Sequence, residues 1–313
     1  MSASASVTLS TRIRKRVSGG NRIALLLLRR WDARIAIMIL SLLTLSGVAP
    51  EALVGPLQTA TTATAEALLP PSGTHLFGTD DLGRDLLNLT VHGARISLVV
   101  GALSAAITLV IGGGIGMIAG YRGGRVDALL MRFADTFLIL PTFVLALILA
   151  PILRELIGDQ TEIFGIRTTL LTIVAVIGFT SWSSTARIVR SQTLSLRERT
   201  FVERARLVGL SPMRIIARHI FPNIRAVLVA NGIVVIAGSI LTESTLSFIG
   251  LGDPFQPSWG TILGNAQSAA APSLGAWWFI AAPGCAILVT VVACTIIGNA
   301  IDELLDRDVR VRR

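Results

Sequence analysis

Lysine is almost absent from this sequence of 313 residues: 27 of its 28 basic residues are arginine, and Lys15 is the exception. No lysine follows a glycine-rich turn, so the phosphate-binding loop Gly-x-x-x-x-Gly-Lys-Ser/Thr is missing. The three histidines are scattered, and no set of His, Cys and acidic residues has the spacing of a metal site. No Gly-x-Ser-x-Gly motif marks a nucleophile. We therefore expect no enzyme active site, no metal and no cofactor bound by this chain.

Charged residues and cysteines are also scarce. Asp, Glu, Lys and Arg make up 15% of the chain, against about 25% in soluble domains. Hydrophobic residues make up 52%, and the mean hydropathy is +0.70. This composition predicts a polytopic membrane protein, in which topology explains the net charge of +9 better than nucleic-acid binding does. Cys285 and Cys294 lie on opposite sides of one predicted helix, so we expect no disulfide.

Six apolar segments are candidates to cross a membrane, for which a helix needs about 20 residues. They are residues 35–49, 96–121, 136–153, 168–186, 226–250 and 277–300. Residues 254–275 are rich in Pro, Gly, Ser, Asn and Gln, so we expect an extramembrane or interfacial loop there and not a seventh span. The predicted fold is therefore all-α, with six transmembrane helices.

The basic residues divide unevenly between the two sets of loops that these spans create. Twenty-four fall on one side, and the other side has only Arg84, Arg95, Arg154 and Arg167. Because basic loops stay in the cytoplasm, we expect both termini to be cytoplasmic. The expected organisation is a basic tail (1–34), a first helix with an external loop (35–95), a transmembrane core (96–301) and a cytoplasmic C-terminal tail (302–313).

One polar segment, residues 187–225, separates two apolar spans and holds nine arginines against two acids. Residues 194–208 favour a helix, on which we expect Glu203 to pair with Arg199 and Arg206. A basic surface helix bound to anionic lipid is one interpretation of this segment. A docking site for a partner protein is the other.

A second short helix is expected after Gly209, which ends the first one. Ser211 precedes Pro212, an order typical of a helix N-cap followed by the first helical residue. We expect this second helix to run to Ile220 and to end at Pro222. Together the two helices form a predicted elbow at the cytoplasmic membrane surface.

The spacing of the elbow resembles the EAA loop of bacterial ABC-importer permeases, through which the membrane subunit docks onto its ATPase. Glu203 and Ala205 stand as Glu-x-Ala, Gly209 follows four residues later, and Pro222 follows thirteen after that. Arg204 replaces the family's middle alanine, whereas the Glu, the Gly and the Pro remain. The resemblance assigns five residues to ATPase coupling: Glu203, Ala205, Gly209, Ile220 and Pro222.

Further motifs are similar to the dipeptide/oligopeptide branch of these permeases. They include Phe77-Gly-Thr-Asp-Asp-Leu-Gly-Arg-Asp85, His92-Gly-Ala-Arg-Ile-Ser-Leu98 and Glu243-Ser-Thr-Leu-Ser-Phe-Ile-Gly-Leu-Gly252. The resemblance implies a permease subunit of an ATP-driven importer of di- or oligopeptides in the bacterial inner membrane. The implied partners are a homologous permease subunit, two ATPase subunits that bind the ATP, an external solute-binding protein and membrane lipid.

Four residues are candidates for a translocation path or gate: Glu243, Ser244, Pro141 and Pro283. Glu243 lies inside the fifth predicted span, near its external end, where a charge costs less than at the bilayer centre. Two roles stay open for its carboxylate: it meets the amino group of a peptide, or it accepts hydrogen bonds from the neighbouring external loop.

Gly112, Gly116 and Gly120 recur every four residues in the second span and therefore share one helix face. Small residues on one face let another helix approach closely. We expect either tight internal packing or a contact that moves during transport.

Arg187 and Arg190, at the end of the fourth span, are expected to lie at the lipid headgroups. Asp135, beside Arg132, is expected to cap the N-terminus of the third transmembrane helix.

Two other classes of protein remain as alternatives. A secondary transporter driven by an ion gradient would need paired ionisable residues near the midplane and an internal repeat, whereas the predicted spans offer Glu243 alone. A membrane-anchored structural or sensory protein would leave the elbow without a role. Within the importer class, nickel complexes, glutathione and antimicrobial peptides remain open as substrates.

Overall fold

The computed structural model describes residues 26–157, 162–163 and 166–311, and most of these are helical. The helices are α1 (Trp31–Val48), α2 (Pro50–Val54), α3 (Leu86–Arg122), α4 (Gly124–Ile139), α5 (Thr142–Ile157), α6 (Thr168–Arg197), α7 (Thr200–Leu207), α8 (Pro212–Ile215), α9 (Phe221–Leu246), α10 (Trp259–Ser268) and α11 (Trp278–Val311). Strands β1 (Glu162–Ile163) and β2 (Ile166–Arg167) form one short antiparallel pair. The predicted all-α class is confirmed. Most of the predicted basic tail, residues 1–25, lies outside the described residues.

Within the described residues, five helical segments are long and apolar enough to cross a membrane. They are α1, α3, α6, the continuous segment Pro212–Leu251 and residues Trp278–Leu304 of α11. Helices α4 and α5 supply a sixth span if they are taken together, although they are bent by 90°. Helix α11 continues past the end of its span to Val311, so the described part of the C-terminal tail predicted over 302–313 is helical.

The bend between α4 and α5 lies at Leu140 and Pro141. Leu140 has an extended backbone (φ −75°, ψ 124°), as a residue before proline prefers. Pro141 has no N–H with which to continue the hydrogen bonds of α4. The candidate span predicted over 136–153 therefore consists of parts of two helices, which meet at a 90° bend.

Residues Pro212–Leu251 form one helical segment, whereas the sequence predicted that a helix ends at Pro222. It begins with α8, passes through a π-helical turn (Ile216–Ile220) and continues as α9. The N–H of Phe221 reaches back to the C=O of Ile216. Pro222 occupies the first turn of α9, where a missing N–H is tolerated. The prediction that Pro222 ends the second elbow helix is therefore wrong.

Helices α3 and α6 pack against each other along the glycine face noted in the sequence. A β-carbon added at Gly112 or Gly116 would lie 2.5 Å from a backbone oxygen of α6, and one added at Gly120 would lie 2.8 Å from another. These separations are shorter than a carbon–oxygen contact allows, so only glycine permits the two backbones to approach this closely.

Small side chains also fill the contact between α1, α9 and α11. Ala33 and Ala36 of α1 are buried with Ala230 of α9 and with Ala293 and Ala300 of α11. Helix α9 in turn packs on α3, so α3 joins the α6 side of the bundle to the α9 side.

The segment between α2 and α3 folds into a loop that is fixed to α3 and α11. The Asp85 carboxylate caps α3 by accepting hydrogen bonds from two backbone N–H groups, at 2.8 and 3.2 Å. The buried Asp80 carboxylate binds Arg84 at 2.6 Å. The indole N–H of Trp278 donates to a carbonyl of this loop. Burial and the neighbouring Asp80 carboxylate raise the pKa of Asp81 above its ordinary value.

The predicted loop over 254–275 contains the short helix α10. Its N-terminus has a capping box in which the Ser258 hydroxyl accepts from the N–H of Thr261, and the Thr261 hydroxyl accepts from the N–H of Ser258. Trp259 is fully buried against the bundle. Ten residues are too few to cross a bilayer, so the segment is not a seventh span.

Candidate functional site

The elbow consists of α7, a turn at Gly209 and α8. Gly209 has a left-handed backbone (φ +81°), which residues with a β-carbon rarely adopt. Its N–H bonds the C=O of Arg206 at 2.9 Å, and the N–H of Leu210 bonds the C=O of Ala205 at 3.2 Å. These two hydrogen bonds form the C-cap of α7, with glycine in the left-handed position that is usual after the end of a helix. The predicted helix stop at Gly209 is confirmed.

One local expectation about the elbow is wrong, and a second is met in position but not in its side-chain bond. The helix predicted over 194–208 is interrupted, because Arg199 has an extended backbone (φ −79°, ψ 143°) that separates α6 from α7. Ser211 occupies the N-cap position of α8, but its side chain makes no capping hydrogen bond. Its backbone C=O instead accepts from the N–H of Ile215 at 3.0 Å.

One face of the elbow is buried against the ends of α3 and α6. Val202 and Ala205 of α7 pack with Ile215, Ile220 and Tyr121 in one hydrophobic cluster. The structure therefore places two of the predicted coupling residues, Ala205 and Ile220, where they hold the elbow on the bundle. Sequence reasoning missed Val202, although the three-residue interval to Ala205 was a signal for a shared helix face.

The opposite face of the elbow carries exposed apolar side chains. Leu207 and Val208 are 82% and 81% exposed, and Met213 on the other limb is 64% exposed. Gly209 lies between the two limbs, and a β-carbon there would meet no atom of this chain within 4 Å. The tip, which we define as Leu207, Val208, Gly209 and Met213, is an apolar projection on a surface otherwise rich in arginine.

The predicted ion pairs of Glu203 do not form among the described residues. Glu203 is exposed and has no ion pair with Arg199 or Arg206. Arg206 instead turns towards α3, where its Nε donates to the hydroxyl of Tyr121 at 3.2 Å and its guanidinium lies 5.0 Å from the centre of that ring. The Glu203 carboxylate is thus presented to the outside of the elbow. Pro222, the remaining coupling candidate, is also exposed.

Ion pairs join α4 to α6 beside the elbow. Arg190 binds both carboxylate oxygens of Asp127, at 2.5 and 2.7 Å. Arg187 binds Asp135 at 2.6 Å. Asp135 lies inside α4, so the expectation that it caps a helix is wrong. Both arginines are engaged by carboxylates of α4, and their expected place at the lipid headgroups stays a prediction.

Glu243 is enclosed by hydroxyl groups. Its side chain is 1% exposed and accepts hydrogen bonds from Ser97 at 3.0 Å, from Ser247 at 2.8 Å and from Ser244 at 3.4 Å. The N–H of Trp259 donates to the Ser97 hydroxyl at 3.2 Å, which connects this group to α10. The three donors thus belong to α3, α9 and the turn after α9, and the external segment is reached through Ser97. Contact of Glu243 with substrate stays a prediction.

The two proline gate candidates lie apart from Glu243 in the sequence, whereas Ser244 is its neighbour and donates to its carboxylate. Pro141 is exposed at the bend between α4 and α5, and Pro283 lies inside α11. Their roles in transport stay predictions. Cys285 and Cys294 are both free thiols, as expected. Among the described residues, no three His, Cys, Asp or Glu side chains come together as a metal site.

Comparison with known proteins gives these features a family. Residues 112–311 match the family of binding-protein-dependent transport system inner membrane components. The chain is 34% identical to the dipeptide transport system permease protein of Bacillus subtilis over 249 residues, which are 78% of this chain and 72% of that one. It is 34% identical to the oligopeptide transport system permease protein of the same organism over 252 residues, 80% of this chain and 77% of that one.

A solved structure has the same fold. It is an inward-facing conformation of the MetNI methionine ABC transporter, with a TM-score of 0.53 and 18% sequence identity. The match covers 72% of this chain and 97% of the other. The chain therefore belongs to the family of binding-protein-dependent transport system inner membrane components, as a permease subunit of an ABC importer.

Proposed function

We propose that this chain is the permease subunit through which an ATP-driven importer moves di- or oligopeptides across a bacterial cytoplasmic membrane. The names of its relatives from Bacillus subtilis support the substrate class. The arginine-rich side, which includes the elbow, faces the cytoplasm in this proposal because 24 of 28 basic residues fall there. The ion-gradient-driven and sensory alternatives do not agree with the family assignment.

The observation that carries the proposal is the two-faced elbow. Ala205 and Ile220 fix one face to the bundle, whereas Leu207, Val208 and Met213 expose apolar area on the other. Exposed apolar patches outside the membrane spans indicate a protein partner. We assign that partner to an ATPase subunit, which binds the ATP that this chain has no loop to hold.

Movement of the ATPases would reach the membrane through the elbow. Helix α8 is continuous with α9 in the segment Pro212–Leu251, so force on the tip is applied to a transmembrane helix without an intervening loop. The remaining proposed partners are a homologous permease subunit, which completes the pathway, a second ATPase, and a solute-binding protein that delivers the peptide from outside.

Replacing Gly209 with aspartate tests this function. A β-carbon at Gly209 touches nothing in this chain, and aspartate tolerates left-handed backbone at a cost of about 1–2 kcal/mol. We expect Gly209→Asp to reach the membrane in normal amounts and to lose most peptide uptake, measured with radiolabelled dipeptide in proteoliposomes that contain the whole importer.

Gly275 provides the matched control for that variant. Its backbone is also left-handed (φ +78°), with no atom within 4 Å of an added β-carbon, and it lies in the segment between α10 and α11. Gly275→Asp should therefore keep ATP-dependent uptake. Wild-type uptake by Gly209→Asp would rule out the elbow as the coupling element.

A further inference from the structure

A polar cleft lies at the end of the bundle opposite the elbow. It has a volume of about 790 Å³ and is lined by the loop after α2, the start of α6, the end of the Pro212–Leu251 segment and α10. Small-molecule sites in proteins are typically clefts of about 300–1,000 Å³. The cleft is therefore large enough for a short peptide.

Three arginines from distant parts of the sequence converge on this cleft: Arg84, Arg154 and Arg167. They are three of the four basic residues that the charge distribution places on the external side. The fourth, Arg95, lies outside the cleft, where it faces Glu51 at 3.6 Å. On a side of the protein with so few cations, this convergence is the feature that needs a functional explanation.

The three guanidinium groups are held in place by the protein. Arg84 is fixed by the buried Asp80 at 2.6 Å, and Arg154 donates to the C=O of Leu251 at 2.9 Å. Arg167 lies 3.5 Å from a carboxylate oxygen of Asp253. Arginines that are already positioned lose little freedom when they bind a ligand.

Arg167 has the most capacity for a ligand. Its guanidinium carries five N–H donors, and its contact with Asp253 uses one nitrogen at 3.5 Å. The guanidinium also lies 4.6 Å from the centre of the Phe255 ring, and its side chain is 35% exposed. This leaves donors in the planar fork geometry that binds a carboxylate with two hydrogen bonds.

The floor of the cleft belongs to the segment that carries the elbow. Residues Ser247 to Gly250 line it, in a π-helical turn where Gly250 has a left-handed backbone (φ +91°). The Ser247 hydroxyl donates to Glu243 beneath the cleft at 2.8 Å. π-helical turns within α-helices are frequent at functional sites.

We propose that this cleft binds the terminal carboxylate of a peptide substrate as it enters the importer from outside, with Arg167 as the principal contact. The proposal rests on the proposed function and names a recognition site for that substrate. The apolar side chains that also line the cleft, among them Leu57, Phe248 and Phe255, contact the rest of the peptide.

The test measures peptide binding to the assembled importer in lipid nanodiscs without the binding protein. The probes are radiolabelled dialanine and its C-terminal amide. We expect Arg167→Gln to weaken dialanine binding about tenfold or more, as loss of a charged hydrogen-bonding partner does, and Arg167→Lys to restore part of the affinity. The amide should bind the wild-type importer as weakly as dialanine binds Arg167→Gln.

Arg95→Gln is the matched control and should change the affinity less than twofold, because Arg95 lies outside the cleft. Equal affinity of the wild-type importer for dialanine and its amide would overturn the proposal. Unchanged dialanine binding by Arg167→Gln, together with weaker binding of the solute-binding protein in a separate measurement, would also overturn it. The arginines would then form a contact with that protein. Failure of the proposed function is a different result: the wild-type importer would take up no peptide even with its binding protein and ATP.

Discussion

Leu207 and Val208 are apolar, adjacent and more than four-fifths exposed, whereas Val202 and Ala205 on the same helix are buried. This division favours the proposed docking role of the elbow over a helix that lies on lipid. A lipid-bound helix would direct its apolar face towards the bilayer, but that face is already occupied by contacts with Tyr121. The second apolar surface is therefore available to a protein.

Glu243 shows how a buried carboxylate is accommodated in an apolar span. Three serine hydroxyls donate to its two oxygens, which offsets the cost of burial. Its neighbours come from α3, α9 and the π-helical turn, so the group also fixes how these elements meet.

Replacing Glu243 distinguishes this structural role from contact with substrate. Glu243→Ala leaves three buried hydroxyls without their acceptor, and we expect it to lower the free energy of unfolding by about 1–3 kcal/mol. Thermal unfolding of the purified protein in detergent measures the loss. Glu243→Gln retains one acceptor oxygen and should transport peptide at close to the wild-type rate. Loss of transport in Glu243→Gln without loss of stability would instead indicate substrate contact.

At the residue scale, the sequence predicted what depends on local geometry and missed what depends on distant neighbours. Gly209 was predicted to end α7, because the need for left-handed backbone is local. The ion pairs predicted for Glu203 do not form in the described part of the chain, since an exposed pair on a helix contributes only about 0.2–0.5 kcal/mol to stability. Arg206 contacts Tyr121 instead, across 85 positions of sequence.

At the scale of elements, the contact between α3 and α6 depends on glycine. The added β-carbon at Gly116 would lie 2.5 Å from the carbonyl oxygen of Ala186. The backbones themselves form this contact, so neither helix can relieve a clash by changing a rotamer.

Two alanine substitutions in α3 test this contact. Gly116→Ala should lower the free energy of unfolding by about 1–3 kcal/mol, as overpacking does, measured by thermal unfolding in detergent. Gly114→Ala is the control. Gly114 lies in the same helix, and a β-carbon there would have no contact within 4 Å. Equal stability of the two variants would show that α3 and α6 are not packed this closely.

Two of the elements whose shape was not predicted from the sequence involve proline. Pro141 was recognised inside an apolar segment, yet hydropathy contains no information on direction, and the 90° bend depends on the packing of α4 beside α6. Pro222 was read as a stop, but the π-helical turn before it places the proline in a first helical turn. The lengths of the apolar segments were enough to locate both spans. The bend in one and the continuity of the other depend on tertiary contacts.

At the scale of the whole molecule, the segment Pro212–Leu251 connects the two ends of the bundle. The segment has 40 residues, and an α-helix of that many residues is about 60 Å long. One end carries the elbow, and the other forms the floor of the polar cleft. The same segment thus links the surface assigned to the ATPase with the surface assigned to the peptide.

The central claim is that the elbow tip binds an ATPase subunit, and co-purification measures this most directly. The tagged chain is isolated in mild detergent from membranes that contain the whole importer, and the ATPase subunits that accompany it are quantified by mass spectrometry. Val208→Glu places a charge on the tip, whereas Leu274→Glu places one at an exposed leucine between α10 and α11 as the control.

We expect the wild-type chain and Leu274→Glu to retain stoichiometric ATPase. Val208→Glu should lose about nine-tenths of it or more, because a charge buried in an apolar contact costs more than 1.4 kcal/mol, which is a factor of ten in affinity. Stoichiometric ATPase on Val208→Glu, at the same membrane abundance, would contradict the account and move the docking site away from the elbow tip.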